Sequence, residues 1–314
     1  MMIVISEFMD ETAVASLRDR FEVIYDPALV DERPRLMERV QQADALIVRN
    51  RTQVDRALLS AARRLKVVGR LGVGLDNIDV AACQAHKVEV IPASGANAAA
   101  VAEYVIGTAL VLLRGQYAST DAVIDGRWPR TALLNGRELG GKTLGLIGCG
   151  YIGQLTARLA RALGMEVIAH DPALAADDPA LARIGIRLTG LEELLATSDV
   201  VSLHVPLTEK TRGLLGRERL ASMKKGAILV NTARGGIVDE KALVELLKAG
   251  HLGGAAIDVF AQEPLPAGSP FTALRGASNL ILTPHVAGVT QESNKRVSAM
   301  IAQRVGEFLA GQGG

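Results

Sequence analysis

Thr143-Leu144-Gly145-Leu146-Ile147-Gly148-Cys149-Gly150-Tyr151-Ile152-Gly153 is the stretch whose reading decides the fold. Thr143 to Ile147 is an apolar run fit for a buried strand, and a helical pattern follows over 151–163. Between them the glycines fall in a Gly-x-Gly-x-x-Gly spacing, which is weak alone but gains meaning from the strand before it and the helix after it. Gly148 can make the tight turn, Gly150 lets a pyrophosphate approach the backbone, and Gly153 lets the helix pack on the strand. The alternative is a plain strand-to-helix turn.

Outward from this stretch, short apolar runs alternate with helical patterns, the signature of βαβ units. Strands are expected at 3–6, 22–25, 45–48, 67–70 and 88–92, and a second set at 143–148, 166–170, 199–204, 227–231, 254–259 and 280–283. The second set would make a full six-stranded dinucleotide-binding sheet. Val297, Ile301, Val305 and Phe308 have helical spacing after Thr290, an N-cap residue, so a C-terminal helix is predicted. The run 101–113 is apolar on nearly every face. Such a helix is buried either in its own domain or against a second subunit.

Composition agrees with an α/β protein of two domains. The chain has 314 residues, 49% hydrophobic but only 3% aromatic, so its cores are aliphatic, as suits buried parallel strands. Lys plus Arg number 35 against 34 Asp plus Glu, a formal charge of +1, which gives no global field for nucleic acid or an anionic membrane. Cys83 and Cys149 cannot make a disulfide framework, and no signal peptide or membrane span is read, so a cytoplasmic setting is expected. No metal ion is expected.

The strand 166–170 ends at Asp171, near the spacing of about 20 residues at which an acid binds the ribose hydroxyls. Asp171 would repel a 2′-phosphate, and Pro172-Ala173-Leu174 supplies no cation to receive one, so NAD is favoured over NADP. Alternatively, Asp171 caps the helix that follows.

Parallel sheets present their sites at the C-terminal strand ends. There the sequence delivers Arg234, within Thr232-Ala233-Arg234-Gly235-Gly236; Glu263, within Phe260-Ala261-Gln262-Glu263-Pro264; and His285, after Pro284. Reduction of a 2-oxo acid needs a fork to hold the carboxylate, a proton donor and a partner for that donor. Singly, each residue has a duller reading: a surface ion pair, a solvated acid, a loop histidine. Jointly they match the chemistry.

The sequence resembles the D-isomer-specific 2-hydroxyacid dehydrogenases of the phosphoglycerate dehydrogenase-like group, over essentially its whole length. The resemblance rests on Gly72-Val73-Gly74-Leu75-Asp76-Asn77, Gly148 to Gly153, His204-Val205-Pro206-Leu207-Thr208, Asn231 to Gly236, Asp258-Val259-Phe260 with Glu263-Pro264, and Pro284-His285. It implies two Rossmann-like domains with doubly wound parallel sheets: a split, flavodoxin-like substrate domain of 1–97 and 286–314, and an NAD-binding domain of 98–285. It implies that Arg234 binds the 2-oxo acid, that Glu263 pairs with His285, and that His285 donates the proton. Asp258 would contact the nicotinamide carboxamide. Tyr151, Ile152, His204, Pro206, Thr232, Ala233, His285 and Gly288 would join Gly148, Gly150, Gly153 and Asp171 around the cofactor. Arg49, Asn50, Val73, Gly74 and Asn97 would approach the substrate, and a homodimer with 101–113 in its interface is implied.

Within this family, formate dehydrogenases carry Gln where Glu263 stands, which disfavours formate. Long phosphoglycerate dehydrogenases carry an added regulatory domain, and this chain stops at Gly314 without one. The segments 3–11, 48–52 and 285–294 are similar to those of 3-sulfolactate dehydrogenases, which interconvert (S)-3-sulfolactate and 3-sulfopyruvate. Such a substrate needs a second cationic contact. Arg49 and Arg51 could supply it, hold a phosphate as in 3-phosphoglycerate, or face solvent. The competing class is an NAD-sensing corepressor-like binding protein of similar fold.

Overall fold

The computed structural model describes residues 1–175 and 178–311; 176–177 and 312–314 lie outside the described residues, and with them the end of the segment 286–314. The chain divides into two compact units, Met1–Asn97 with Val289–Gly314, and Ala98–Gly288.

The first unit is a five-stranded sheet of β1 (Met2–Ile5), β2 (Glu22–Tyr25), β3 (Ala45–Val48), β4 (Val67–Arg70) and β5 (Glu89–Pro92), in the order β2-β1-β3-β4-β5. Every neighbouring pair is parallel. Parallel strands are covered on both faces, and alternate residues of β1 accordingly enter different cores. Ile3 and Ile5 pack with Val297, Ile301 and Val305, while Val4 packs with Leu36, Leu46 and Leu58. The helix Gln291–Gly311 supplies the first of these faces, and Thr290 Oγ1 caps it by accepting from Ser293 N at 3.0 Å. The end of the chain thus completes the core begun at its start.

The second unit holds β6 (Thr143–Ile147), β7 (Glu166–His170), β8 (Ile186–Leu188), β9 (Val200–Leu203), β10 (Ile228–Asn231), β11 (Gly254–Ile257) and β12 (Leu280–Leu282). They form one seven-stranded sheet, β12-β11-β10-β9-β6-β7-β8, parallel throughout. The six-stranded expectation missed β8, a three-residue edge strand in which only Ile186 is buried, too short to show a period. β6 lies between β7 and β9, so the chain winds outward in both directions from it. That reversal is where a doubly wound sheet binds its ligand.

The helix Ala98–Arg114 buries Val101, Val105, Ala109, Leu112 and Leu113 in this unit and leaves Leu110 and Val111 exposed. Its apolar character is thus mostly that of an internal core helix. No single helix among the described residues is long and apolar enough to cross a membrane.

Leu146, fully buried on β6, reads out the core of the second unit. Leu146→Ala should cost about 2–5 kcal/mol. A urea titration of this unit's unfolding transition checks it; an unchanged midpoint would show that this face tolerates a cavity.

Candidate active site

The glycine turn has the geometry its spacing predicts. Gly148 has φ +91°, and a Cβ there would lie 2.6 Å from the carbonyl oxygen of His204. A Cβ on Gly153 would lie 2.6 Å from the Gly148 carbonyl oxygen, so helix and turn touch backbone to backbone. At Gly150 an added Cβ meets nothing, which leaves open space beside the turn. Gly150 is also the N-cap of the helix Tyr151–Ala162, and no side chain caps that end. Its unsatisfied N–H groups suit a diphosphate. Thr232, beyond the end of β10, adds a buried hydroxyl with no partner among the described residues. An open cradle and an orphaned polar atom fit a dinucleotide.

Asp171 follows β7, with Oδ2 accepting from Cys149 N at 2.9 Å and Oδ1 from Ala173 N at 3.0 Å. It therefore ties the glycine turn to the next strand end. The following helix, Pro179–Ile184, is capped by Asp178, so the capping alternative for Asp171 does not hold. Tyr151 and Pro206 are exposed, Ile152 and Gly288 half-buried, and Ala233 buried. His204 N donates to Ile147 O at 2.7 Å, joining β9's exit to β6, while its Nε2 lies 3.0 Å from Ser202 Oγ. Burial pushes the His204 imidazole down to about 4.

Arg234, Glu263 and His285 stand on successive strand exits of this same unit. After β10, Asn231 folds the loop by donating from Nδ2 to Arg234 O at 3.0 Å and accepting from Ala233 N at 3.0 Å. Arg234 is half-buried, with Nη1 donating to Ala233 O at 2.6 Å. Gly235 is required next, since a Cβ there would fall 1.8 Å from Phe260 O. That close approach sets the Arg234 loop against the segment after β11.

There Phe260 N donates to Glu263 Oε1 at 3.0 Å, which turns the other oxygen, Oε2, to His285 Nδ1 at 2.8 Å. An ionised carboxylate only accepts, so Nδ1 carries the hydrogen of this contact and Nε2 is left for proton exchange with a substrate. Histidine and glutamate side chains are 41% and 36% exposed, so the pair is reachable. His285 itself has φ +56°, a conformation uncommon outside glycine.

In the first unit, Arg49 and Arg51 are unlike. Arg51 is exposed and its guanidinium forms an ion pair with Asp31. Arg49 is half-buried, with Nη2 donating to Asn294 Oδ1 at 2.9 Å and its Cζ 5.8 Å from the centroid of Phe8. No carboxylate among the described residues forms an ion pair with it. Asn50 is exposed, Asn97 Oδ1 is buried without a partner, and among the described residues the N–H groups of Val73 and Gly74 have no acceptor.

Sequence reasoning missed Glu7, a buried carboxylate just beyond β1 that accepts from the N–H groups of Arg49 (2.8 Å), Asn50 (3.3 Å), Arg51 (3.2 Å) and Thr52 (3.0 Å). Its signal was an acid at a C-terminal strand end. Phe8 and Asn294, the partners of Arg49, were also not singled out, since they lie far from it in the chain. Both cysteines are free and buried, their thiols pushed up to about 11 by burial. Among the described residues no cluster of His, Cys, Asp and Glu could hold a metal ion.

The depressed His204 imidazole makes a stability prediction. Its folded-state value lies below the ordinary 6.5, so the unfolded chain binds the proton more tightly. The contribution is therefore fully present above pH 6.5 and lost as pH falls toward 4. Between those limits wild type should lose about 1–3 kcal/mol relative to His204→Gln. Denaturant titrations of both proteins at several pH values check this; parallel pH curves would contradict it.

Comparison with known proteins follows the same lines. The family model described as "D-isomer specific 2-hydroxyacid dehydrogenase, NAD binding domain" matches residues 106–287. The chain is 54% identical over 307 residues to an (S)-sulfolactate dehydrogenase of Chromohalobacter salexigens, covering 98% of each protein. It is 40% identical over 311 residues to a D-3-phosphoglycerate dehydrogenase of Methanocaldococcus jannaschii, covering 99% of this chain and 58% of that one. Among solved structures, a D-lactate dehydrogenase from Aquifex aeolicus complexed with NAD and lactic acid superposes with a TM-score of 0.86 at 30% identity, covering 99% of this chain and 97% of that one. The glycine turn, the strand-end residues and these relatives lead to one conclusion: the chain belongs to the D-isomer specific 2-hydroxyacid dehydrogenases, NAD-dependent oxidoreductases that interconvert 2-hydroxy and 2-oxo acids.

Proposed function

We propose that the substrate carries a second anionic group, and that the reaction is the interconversion of (S)-3-sulfolactate and 3-sulfopyruvate. The observation that carries this reading is Arg49: a half-buried guanidinium seated on Phe8 and Asn294 with no carboxylate pairing among the described residues. Burial outweighs the favourable charge of Glu7, which forms no ion pair with this guanidinium, and a sulfonate would offset the remaining cost. Arg51 already has Asp31 and is not assigned this role. The sulfolactate dehydrogenase relative supports the sulfonate, and the phosphoglycerate dehydrogenase relative supports 3-phosphoglycerate as the alternative.

Arg234 is assigned to the substrate carboxylate through its planar fork, and Asn50, Val73 N, Gly74 N and Asn97 of the first unit are assigned as candidate substrate contacts of that unit. Bound NADH supplies the hydride that reduces carbon 2. As negative charge develops on the 2-oxo oxygen, His285 Nε2 hands it a proton. Glu263 holds the ring by Nδ1 and balances the imidazolium charge. In oxidation, Nε2 takes the hydroxyl proton instead. Gly148, Gly150, Gly153, Tyr151, Ile152, Asp171, His204, Pro206, Thr232, Ala233, Asp258 and Gly288 are assigned to NAD, with Asp171 opposing a 2′-phosphate and thus NADP.

A homodimer is part of this reading. Tyr117, Ile124, Trp128 and Leu134 expose apolar surface just after the helix Ala98–Arg114, with Ile124 and Trp128 each 76% exposed. Such a concentration of apolar surface on one stretch supports the proposed interface. The free, buried cysteines fit a reducing, cytoplasmic setting.

Steady-state assays with 3-sulfolactate, 3-phosphoglycerate, D-lactate and D-glycerate test the substrate. Arg49→Ala should lower kcat/KM for the doubly anionic acid roughly 10- to 100-fold, the loss of one charge-assisted hydrogen bond, while Arg51→Ala changes it little. A turnover preference for D-lactate would sink the second-anion reading, and tight NADH binding without any turnover would favour a sensor. For the interface, Ile124→Glu combined with Trp128→Glu should halve the mass measured in solution; a wild-type protein that is already monomeric refutes the dimer.

A further inference from the structure

We propose that Tyr104 and Thr283 are positioning residues for proton transfer, acting through Asp258 on the backbone that carries His285. This rests on the reading of His285 as the proton donor.

The left-handed backbone at His285, φ +56°, is uncommon for a residue other than glycine. It is held by Asp258, a buried residue just beyond β11 that gathers three successive N–H groups. His285 N donates to the main-chain oxygen of Asp258 at 2.8 Å, Val286 N to its Oδ1 at 2.8 Å, and Ala287 N to its Oδ2 at 2.9 Å. His285 N also reaches Thr283 O at 3.0 Å, so the carboxylate governs the two residues that follow His285, and through them the exit of the segment that carries it.

That carboxylate is fixed in turn from the far side. Thr283 Oγ1 donates to Oδ1 at 2.6 Å, and Tyr104, on the helix Ala98–Arg114, places its hydroxyl 2.7 Å from Thr283 Oγ1. Threonine has one hydroxyl hydrogen, and it goes to the carboxylate, so the phenol is the donor of the second contact. Burial raises the Tyr104 hydroxyl, with the Asp258 charge adding to the effect, which keeps that donor protonated near neutral pH. The donors therefore converge on the carboxylate: Tyr104 donates to Thr283 and Thr283 to Asp258 from one side, while Val286 N and Ala287 N donate to it from the other.

The lone pairs agree. Oδ1 accepts from Thr283 and Val286, and Oδ2 accepts from Ala287. Without the Thr283 hydroxyl, Oδ1 loses the donor that opposes the pull of Val286. The carboxylate can then turn, and His285 Nε2 moves with the segment.

Thr283→Val, which keeps the shape and removes the hydroxyl, should lower kcat roughly tenfold, because sub-ångström misplacement of a proton donor is costly. The KM for the 2-oxo acid and the NADH dissociation constant from fluorescence titration should stay within about twofold, since the transition state alone is affected. Thr283→Ser should restore kcat, and Tyr104→Phe should lower it by a smaller factor, roughly threefold. A folded Thr283→Val with wild-type kcat overturns the proposal, as does a Thr283→Ser variant equally impaired. Should Thr283→Val fail to fold, Tyr104→Phe decides on the same readouts, an unchanged kcat overturning the proposal. His285→Asn is the control: its retaining wild-type kcat would refute the proton-donor reading, whereas its loss beside an intact Thr283→Val would refute this inference alone.

Discussion

A strand inside a parallel sheet must have a partner on each side and cover on each face, because buried N–H and C=O groups find no water. β6 meets this constraint between β7 and β9, the chain leaving it first to one side and later to the other. Where those departures diverge, the ladder ends and a gap opens. The glycine turn occupies that gap because backbone meets backbone there, at Gly148 against His204 and at Gly153 against Gly148. A side chain at either place would force apart the helix, the turn or β9's exit.

The same constraint places the chemistry. Strand exits are where backbone groups run out of ladder partners, and side chains at those exits must satisfy them. Asn231 closes the loop that carries Arg234, Phe260 N steers Glu263, and Asp258 collects the N–H groups after Thr283. In the first unit, Glu7 takes four consecutive N–H groups at the segment that carries Arg49. Structural hydrogen bonding and preorganisation for catalysis are here one arrangement, since rigid supports leave a donor or a charge in place at little entropic cost when substrate arrives.

The two arginines of the segment 49–51 show how support divides roles. They are nearly adjacent in sequence and identical in chemistry. One meets an exposed acid on its own surface and is neutralised. The other is drawn against an aromatic ring and an amide, neither of which cancels its charge. A cation partly removed from water and in no ion pair among the described residues is the feature on which the proposed preference for a doubly anionic 2-hydroxy acid rests.

The sequence by itself determined the alternation of strands and helices, the glycine turn, and the strand exits bearing Arg234, Glu263 and His285, because these depend on local periodicity and on residue types at fixed offsets. It did not reveal β8, whose three residues carry no period, nor exclude that Asp171 caps the following helix, nor show that it ties the glycine turn. It also left Arg49 and Arg51 equivalent. Those matters were settled by partners distant in the chain: Asp31 for Arg51, Asn294 for Arg49, Tyr104 for Thr283, and Asp258 for the backbone of His285. Spacing along a chain states which residues are neighbours on one helix or strand. Which carboxylate faces which cation, and which donor fixes which backbone, is decided only when separate strands pair and pack.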